Sequence, residues 1–175
     1  MATSARYPGL LLERMAVHVG YELRMVGCLM HDVSDEEDTP TGYAILEAYL
    51  LHVRTLSAFL GTSSDRAWPD DIVADDYFRG YHEPFSPLTA DDRGDIDRRL
   101  AHLTTDRLAG NLSPGAGFSW RPGLDRSYWG KRVLKEFTHF LDALREDSPD
   151  RAAWFEDALS DAKRNVLPTI PDRTG

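Results

Sequence analysis

The chain has 175 residues, 42% apolar and 28% charged, with 20 Lys plus Arg against 29 Asp plus Glu and a formal net charge of −9. That length supports one domain with a single core, and no apolar run approaches the ~20 residues of a membrane span. An acidic balance excludes general affinity for phosphate backbones, so no DNA partner is expected. The lone Cys28 excludes an internal disulfide framework and suits the reducing cytoplasm. The N-terminus lacks the charged start and apolar stretch of a secretory signal.

The first predicted helix spans Pro8 to Met30. Leu12, Ala16, Val19, Leu23, Val26 and Met30 recur at alternating spacings of four and three, which places them on one stripe. The acidic run Asp32, Asp35, Glu36, Glu37 and Asp38 then reads as a solvated linker. Thr39-Pro40 starts the second helix as an N-cap followed by proline at the first helical position, and Gly61 ends it. Ile45, Tyr49, His52, Leu56 and Phe59 form one stripe of this helix, and Leu46, Leu50, Val53 and Leu60 form another. Two adjacent stripes predict a central helix packed on several sides.

Residues 62–88 hold Trp68, Tyr77, Phe78, Tyr81 and Phe85 among acids and prolines. Such aromatic density predicts a connection folded onto the bundle, with a short helix from Asp71 to Phe78. Thr89 caps the third helix with Asp92 in its first turn; Ile96, Leu100, Leu103 and Leu108 are its apolar edge and Gly110 its end. A Gly/Pro/Ser-rich loop over 111–127 carries Phe118 and Trp120. The fourth helix, Tyr128 to Glu146, turns Trp129, Val133, Phe137, Phe140 and Leu144 inward. Ser148-Pro149 starts the fifth, with Phe155, Leu159 and Val166 inward and Pro168 beyond its end. The sum is an all-α fold: one domain, residues 1–175, a bundle of about five main helices, mostly antiparallel, with two long packed loops.

Polar residues set in these helices are the candidate site. Glu47 and Arg54 are seven residues apart, on one face but about 10 Å apart along the axis, so each needs a partner from another helix. His52 lies inside an apolar stripe. Two readings follow: a hydrogen-bonded core histidine with interhelical ion pairs, or a polar cleft in which Glu47, His52 and Arg54 bind a ligand. On the third helix His102 has Arg98, Arg99 and Asp106 at helical-neighbour spacings, with Arg107 beside the apolar edge. This is either an exposed charge ladder or a general acid or base beside arginines that hold an anion. On the fourth helix Arg132 and His139 share a face with Lys135 and Glu136, opposite the apolar stripe, which reads first as solvated surface. His-Glu-x-x-His, cysteine pairs and glycine-rich phosphate loops are all missing, so no metal and no cofactor are expected.

The order of these features resembles the HEPN superfamily of small bacterial helical bundles, many of them toxins or defence ribonucleases. The likeness lies in "EAYLLHVRTLSAFL" and "RVLKEFTH", and spans helices two to four. In that family an arginine precedes a histidine by four to six intervening residues. Arg132 and His139 match this; Arg98 has only three residues between it and His102, and Asp95 occupies the place of a more distant arginine. The resemblance implies a homodimer with two such motifs around an RNA-cutting cleft, and chemistry that needs no metal. A histidine, His102 or His139, would then act on the 2′-hydroxyl or leaving oxygen, while Arg98 or Arg132 would stabilise the phosphorane. The rival expectation is a non-catalytic helical interaction module that binds a protein partner or a small anionic ligand.

Overall fold

The stripe from Leu12 to Met30 is buried along its whole length, because a period that alternates three and four keeps those side chains on one side of a 3.6-residue helix. The structure, a computed structural model, describes residues 6–35, 40–79, 83–101 and 127–166; for helical residues 34, 35, 40, 43, 98, 99, 101 and 166 it describes the backbone alone. Among the described residues are five α-helices and no strand: α1 (Gly9–Asp35), α2 (Pro40–Gly61), α3 (Ala90–Ala101), α4 (Tyr128–Asp147) and α5 (Pro149–Val166). The protein is all-α.

Two boundaries differ from expectation. Helix α1 continues past Met30, because Val33 extends the buried stripe while His31 and Asp32 stay on the wet face. The acidic run therefore begins inside a helix and not in a linker. The expected helix over 71–78 shrinks to a single 3₁₀ turn, Ala74–Tyr77. Its geometry is fixed by side chains: the Asp76 carboxylate accepts the Val73 N–H at 3.0 Å, and Asp75 accepts the Ser64 N–H and hydroxyl. The end expected for α3 at Gly110, with Leu103 and Leu108, and the loop with Phe118 and Trp120 lie outside the described residues.

Helices α1, α2, α4 and α5 form a ring, each packed on the next, with α3 laid against α2. Two chain-adjacent pairs, α1 with α2 and α4 with α5, run antiparallel. Glu22 of α1 meets His52 of α2 while Arg145 of α4 meets Glu156 of α5. Closing the ring makes two contacts parallel. Gly20 and Gly27 lie against Ala158 and Ala162 in the same order along α5, and Tyr49 and Phe59 of α2 meet Gly130 and Phe140 of α4. The Tyr49 hydroxyl accepts the Gly130 N–H at 2.7 Å, which satisfies one of the orphan donors in the first turn of α4.

Aromatic rings fill the ring's centre. Phe140 contacts Phe59, Tyr77, Phe78, Phe85, Phe137 and Phe155, all but Phe59 and Phe137 of these from outside α2 and α4. Edge-on ring pairs of this kind add to the free energy of burial. The described parts of the segment, 62–79 and 83–88, are thereby folded onto the bundle, while Trp68 stays exposed. The Tyr77 hydroxyl also donates to the Leu12 carbonyl at 3.0 Å, which ties the 3₁₀ turn to α1.

Helices α1 and α5 approach closely enough to require glycine. A Cβ on Gly27 would stand 2.6 Å from the Ala162 carbonyl oxygen, whereas one on Gly94 of α3 would meet nothing within 4 Å. Alanine is the better helix former by about 1 kcal/mol, so the two substitutions should differ in sign. Gly94→Ala is expected to stabilise by up to about 1 kcal/mol, and Gly27→Ala to destabilise by about 1–3 kcal/mol through overpacking, both read from urea unfolding midpoints.

Candidate ligand-binding cleft

Helix α2 is the reference for every candidate residue. Arg54 turns to α3, where its guanidinium forms an ion pair with Asp97, Nε to Oδ1 at 2.9 Å. His52 turns to α1, with Nδ1 at 2.6 Å from Glu22 Oε2 and the Tyr21 ring packed edge-on at 5.8 Å. Two residues correspond to about 200° of helical rotation, so the imidazole and the guanidinium leave α2 on different sides. The expected single cleft lined by Glu47, His52 and Arg54 is thus divided. Glu47 lies on the exposed face of α2. Each of the two basic side chains is answered by an acid from an adjacent helix, as their setting in an apolar helix requires.

The cleft that does form lies between the C-terminal half of α2 and α3. It encloses about 360 Å³, and its walls include Arg54, Ser57, Ala58, Thr62, Ser63, Arg66, Pro84, Leu88, Arg93, Ile96 and Asp97. Sequence places these residues on two helices and on both ends of segment 62–88. Three contacts bring them together. Phe85 N–H donates to the Leu60 carbonyl at 3.0 Å and folds the segment's far end back to α2. Arg6 donates to the carbonyls of Ser64, Trp68 and Asp71 and holds the near end. A capping box starts α3: Thr89 Oγ1 accepts the Asp92 N–H, and the Asp92 carboxylate accepts the Thr89 N–H, both at 3.1 Å.

Three guanidinium groups therefore face one concave surface in a protein of net charge −9. Arg54 commits its Nε to Asp97. Arg93 makes one long bond, 3.4 Å, to the Leu88 carbonyl. The Arg66 side chain has no hydrogen bond or ion pair among the described residues; it lies close enough to Asp65 to help hold that exposed carboxyl below its ordinary value, after the larger effect of the Ser63 hydroxyl. The C-terminus of α2 and the N-terminus of α3 meet at this end, and their opposite partial charges offset each other. The arginines set the local field.

A second groove of about 500 Å³ runs between α1 and α2, lined by Met15, His18, Glu22, Leu51, Thr55 and Ile72 among others, and it shares Arg54, Ala58 and Thr62 with the first. Its two carboxylates, Glu22 and Asp71, are already engaged, the first by His52 and the second by the Trp68 N–H.

On α4 the expected pair separates by role. Arg132 donates to Asp92 Oδ2 at 3.2 Å and to the Tyr128 hydroxyl at 3.1 Å, while His139 is half exposed with Glu136 at 3.4 Å. Asp92 also accepts the Trp129 indole N–H at 3.0 Å. Partial burial pushes the Asp92 carboxyl up, but the Thr89 and Trp129 hydrogen bonds and the Arg132 charge outweigh that and hold it below the ordinary aspartate value. Arg132 thus pins α4 to α3. Glu136 and His139 form a Glu-x-x-His spacing that the expectation of no metal site passed over; no three His, Cys, Asp or Glu among the described residues are placed to hold a metal ion. Arg24 and His31 of α1 also have the Arg-to-His spacing, with Arg24 bound to Asp161 at 3.0 Å. His102 and Arg107 lie outside the described residues, as does the Arg98 side chain. Arg66, Arg93 and Asp97 carried no signal of their own in the sequence, since folding alone brings them to Arg54.

No helix among the described residues is long and apolar enough to cross a membrane. Comparison with protein-family models, with curated proteins and with solved structures gives no match.

Because the folded-state value of Asp92 is depressed, its contribution to stability is present above the ordinary value of 3.8 and is lost as pH falls through the folded-state value. Asp92→Asn is expected to cost about 1–2 kcal/mol at neutral pH, with the difference from the parent protein narrowing below about pH 3.8, as measured by urea unfolding across pH 2–7.

Proposed function

We propose that the protein is a non-catalytic helical binding module whose α2–α3 cleft takes a small anionic ligand. The carrying observation is the gathering of Arg54, Arg66 and Arg93 around one cleft, opposed within its walls by a single carboxylate among the described residues, that of Asp97. Guanidinium groups suit this task because they stay charged at all relevant pH values and offer paired donors that match carboxylate and phosphate edges. A volume of about 360 Å³ lies at the lower end of ligand sites, roughly 300–1,000 Å³, and fits a small molecule. A single, exposed cysteine, Cys28, supports placing the protein in the reducing cytoplasm.

A second reading is the HEPN-like ribonuclease, acting as a homodimer on RNA. Its support is the all-α bundle and the half-exposed imidazole of His139, seven residues from Arg132 on α4. Arg132 would have to leave Asp92 to reach a phosphate.

Two measurements decide between them. Titration with inorganic phosphate, followed by Arg side-chain NMR signals, is expected to shift Arg54, Arg66 and Arg93, and the Arg66→Ala, Arg93→Ala double variant to weaken binding at least tenfold. Arg signals unchanged by millimolar phosphate and by millimolar carboxylate alike would rule the anion site out. Metal-free incubation with mixed RNA is expected to leave it intact. Cleavage by the parent protein that disappears in His139→Ala or His102→Ala would establish the ribonuclease instead.

A further inference from the structure

We infer that the occupant of the α2–α3 cleft is an organic monoanion with an apolar body, an aryl or branched-alkyl carboxylate, and not an inorganic ion; this rests on the anion-binding reading above. The cleft has two chemically distinct parts. Its charged part is Arg54, Arg66 and Arg93. Its apolar part is the exposed Ala58 and Pro84, alongside Leu88 and Ile96, which are only 1% exposed and closed off by packing. A bare ion engaging the guanidinium groups would leave water against those carbons, whereas a hydrophobic body would displace it, and apolar surface removed from water is the main source of affinity in concave sites.

The charge of the ligand follows from what the arginines already do. Asp97 pairs with Arg54 by charge, at 2.9 Å, and the Arg54 guanidinium makes no hydrogen bond among the described residues. Asp65, just beyond the rim, interacts with Arg66. Among the described residues, three positive charges thus face one carboxylate in the wall and another beside it, and the remaining excess matches one negative charge. A planar carboxylate also fits the two-pronged edge that a guanidinium presents. A dianion would stand close to Asp97 with no fourth cation among the described residues to answer it.

The test uses four probes on the full chain, titrated by calorimetry and by methyl and Arg side-chain NMR: 3-phenylpropionate, acetate, 3-phenylpropan-1-ol and inorganic phosphate. Phenylpropionate is expected to bind at least tenfold more tightly than acetate or phosphate and to shift the methyl signals of Leu88 and Ile96 together with the Arg66 guanidinium. Arg66→Gln, an exposed substitution, is expected to weaken it at least fivefold with no change in unfolding midpoint. Acetate or phosphate binding as well as phenylpropionate would overturn the apolar body while leaving the anion site standing. Phenylpropanol binding as well as the acid, or no probe binding at millimolar concentration, would overturn both.

Discussion

Everything in this molecule depends on the enclosure of α2. It is the helix with the widest apolar surface, touched by α1, α3, α4 and the 3₁₀ turn, and Tyr49, Leu50, Val53, Leu56 and Leu60 have at most 1% of their surface exposed. A helix so placed has few directions in which to send a polar side chain, and each one it carries must be answered by a neighbour, since an unpaired buried charge costs several kcal/mol. His52 finds Glu22 and Arg54 finds Asp97. No buried side-chain nitrogen or oxygen among the described residues lacks a hydrogen-bond partner. The same constraint builds the cleft, because the residue that draws α3 toward α2, Arg54, is also the one that lines the gap between them.

Segment 62–88 is the second structural lever. It crosses the bundle because Tyr77, Phe78 and Phe85 enter the aromatic cluster around Phe140, and its two ends are then fixed beside the C-terminus of α2. Arg6 secures the near end through three carbonyls and lies 3.6 Å from Asp76, whose carboxyl is nonetheless pushed up by burial beyond what the Val73 N–H and Arg6 restore. Packing in the core thus determines where Ser63, Arg66 and Leu88 stand around the cleft.

Periodicity made the helices legible. The inward residues of α1, α2 and α4 can be read from spacing alone, and caps such as Thr39-Pro40, Thr89 and Ser148-Pro149 mark starts to within a residue. Spacing also indicated that His52 and Arg54 would need partners, because their neighbours on α2 are nearly all apolar. It did not name the partners. Glu22 stands 30 residues from His52 and Asp97 stands 43 from Arg54, and no local pattern relates them. The 3₁₀ turn was misread as a helix for a related reason: what holds it is the set of bonds from Asp75 and Asp76 to Ser64 and Val73, and these depend on side-chain placement and not on propensity. The three arginines of the cleft were the least legible feature, since their meaning is positional only.

The ion pairs around α2 differ in a way that bears on ligand exchange. Asp92 is enclosed by four donors from Thr89, Trp129 and Arg132 and is only 16% exposed; removing it would strand several groups at once. Arg54 and Asp97 are about half exposed, at 52% and 43%, and joined through one nitrogen. Pairs of that kind contribute at most about 1 kcal/mol, because water screens both charges. The first pair therefore serves as a fixed joint between α3 and α4. The second is weak enough for an incoming anion to share Arg54, or take it from Asp97, without releasing α3, which Ile96 and the bonds of Asp92 to Trp129 and Arg132 still hold. A site of this design needs a charge that the fold positions without fully neutralising, and Arg54 meets that condition in a way that Arg132 does not.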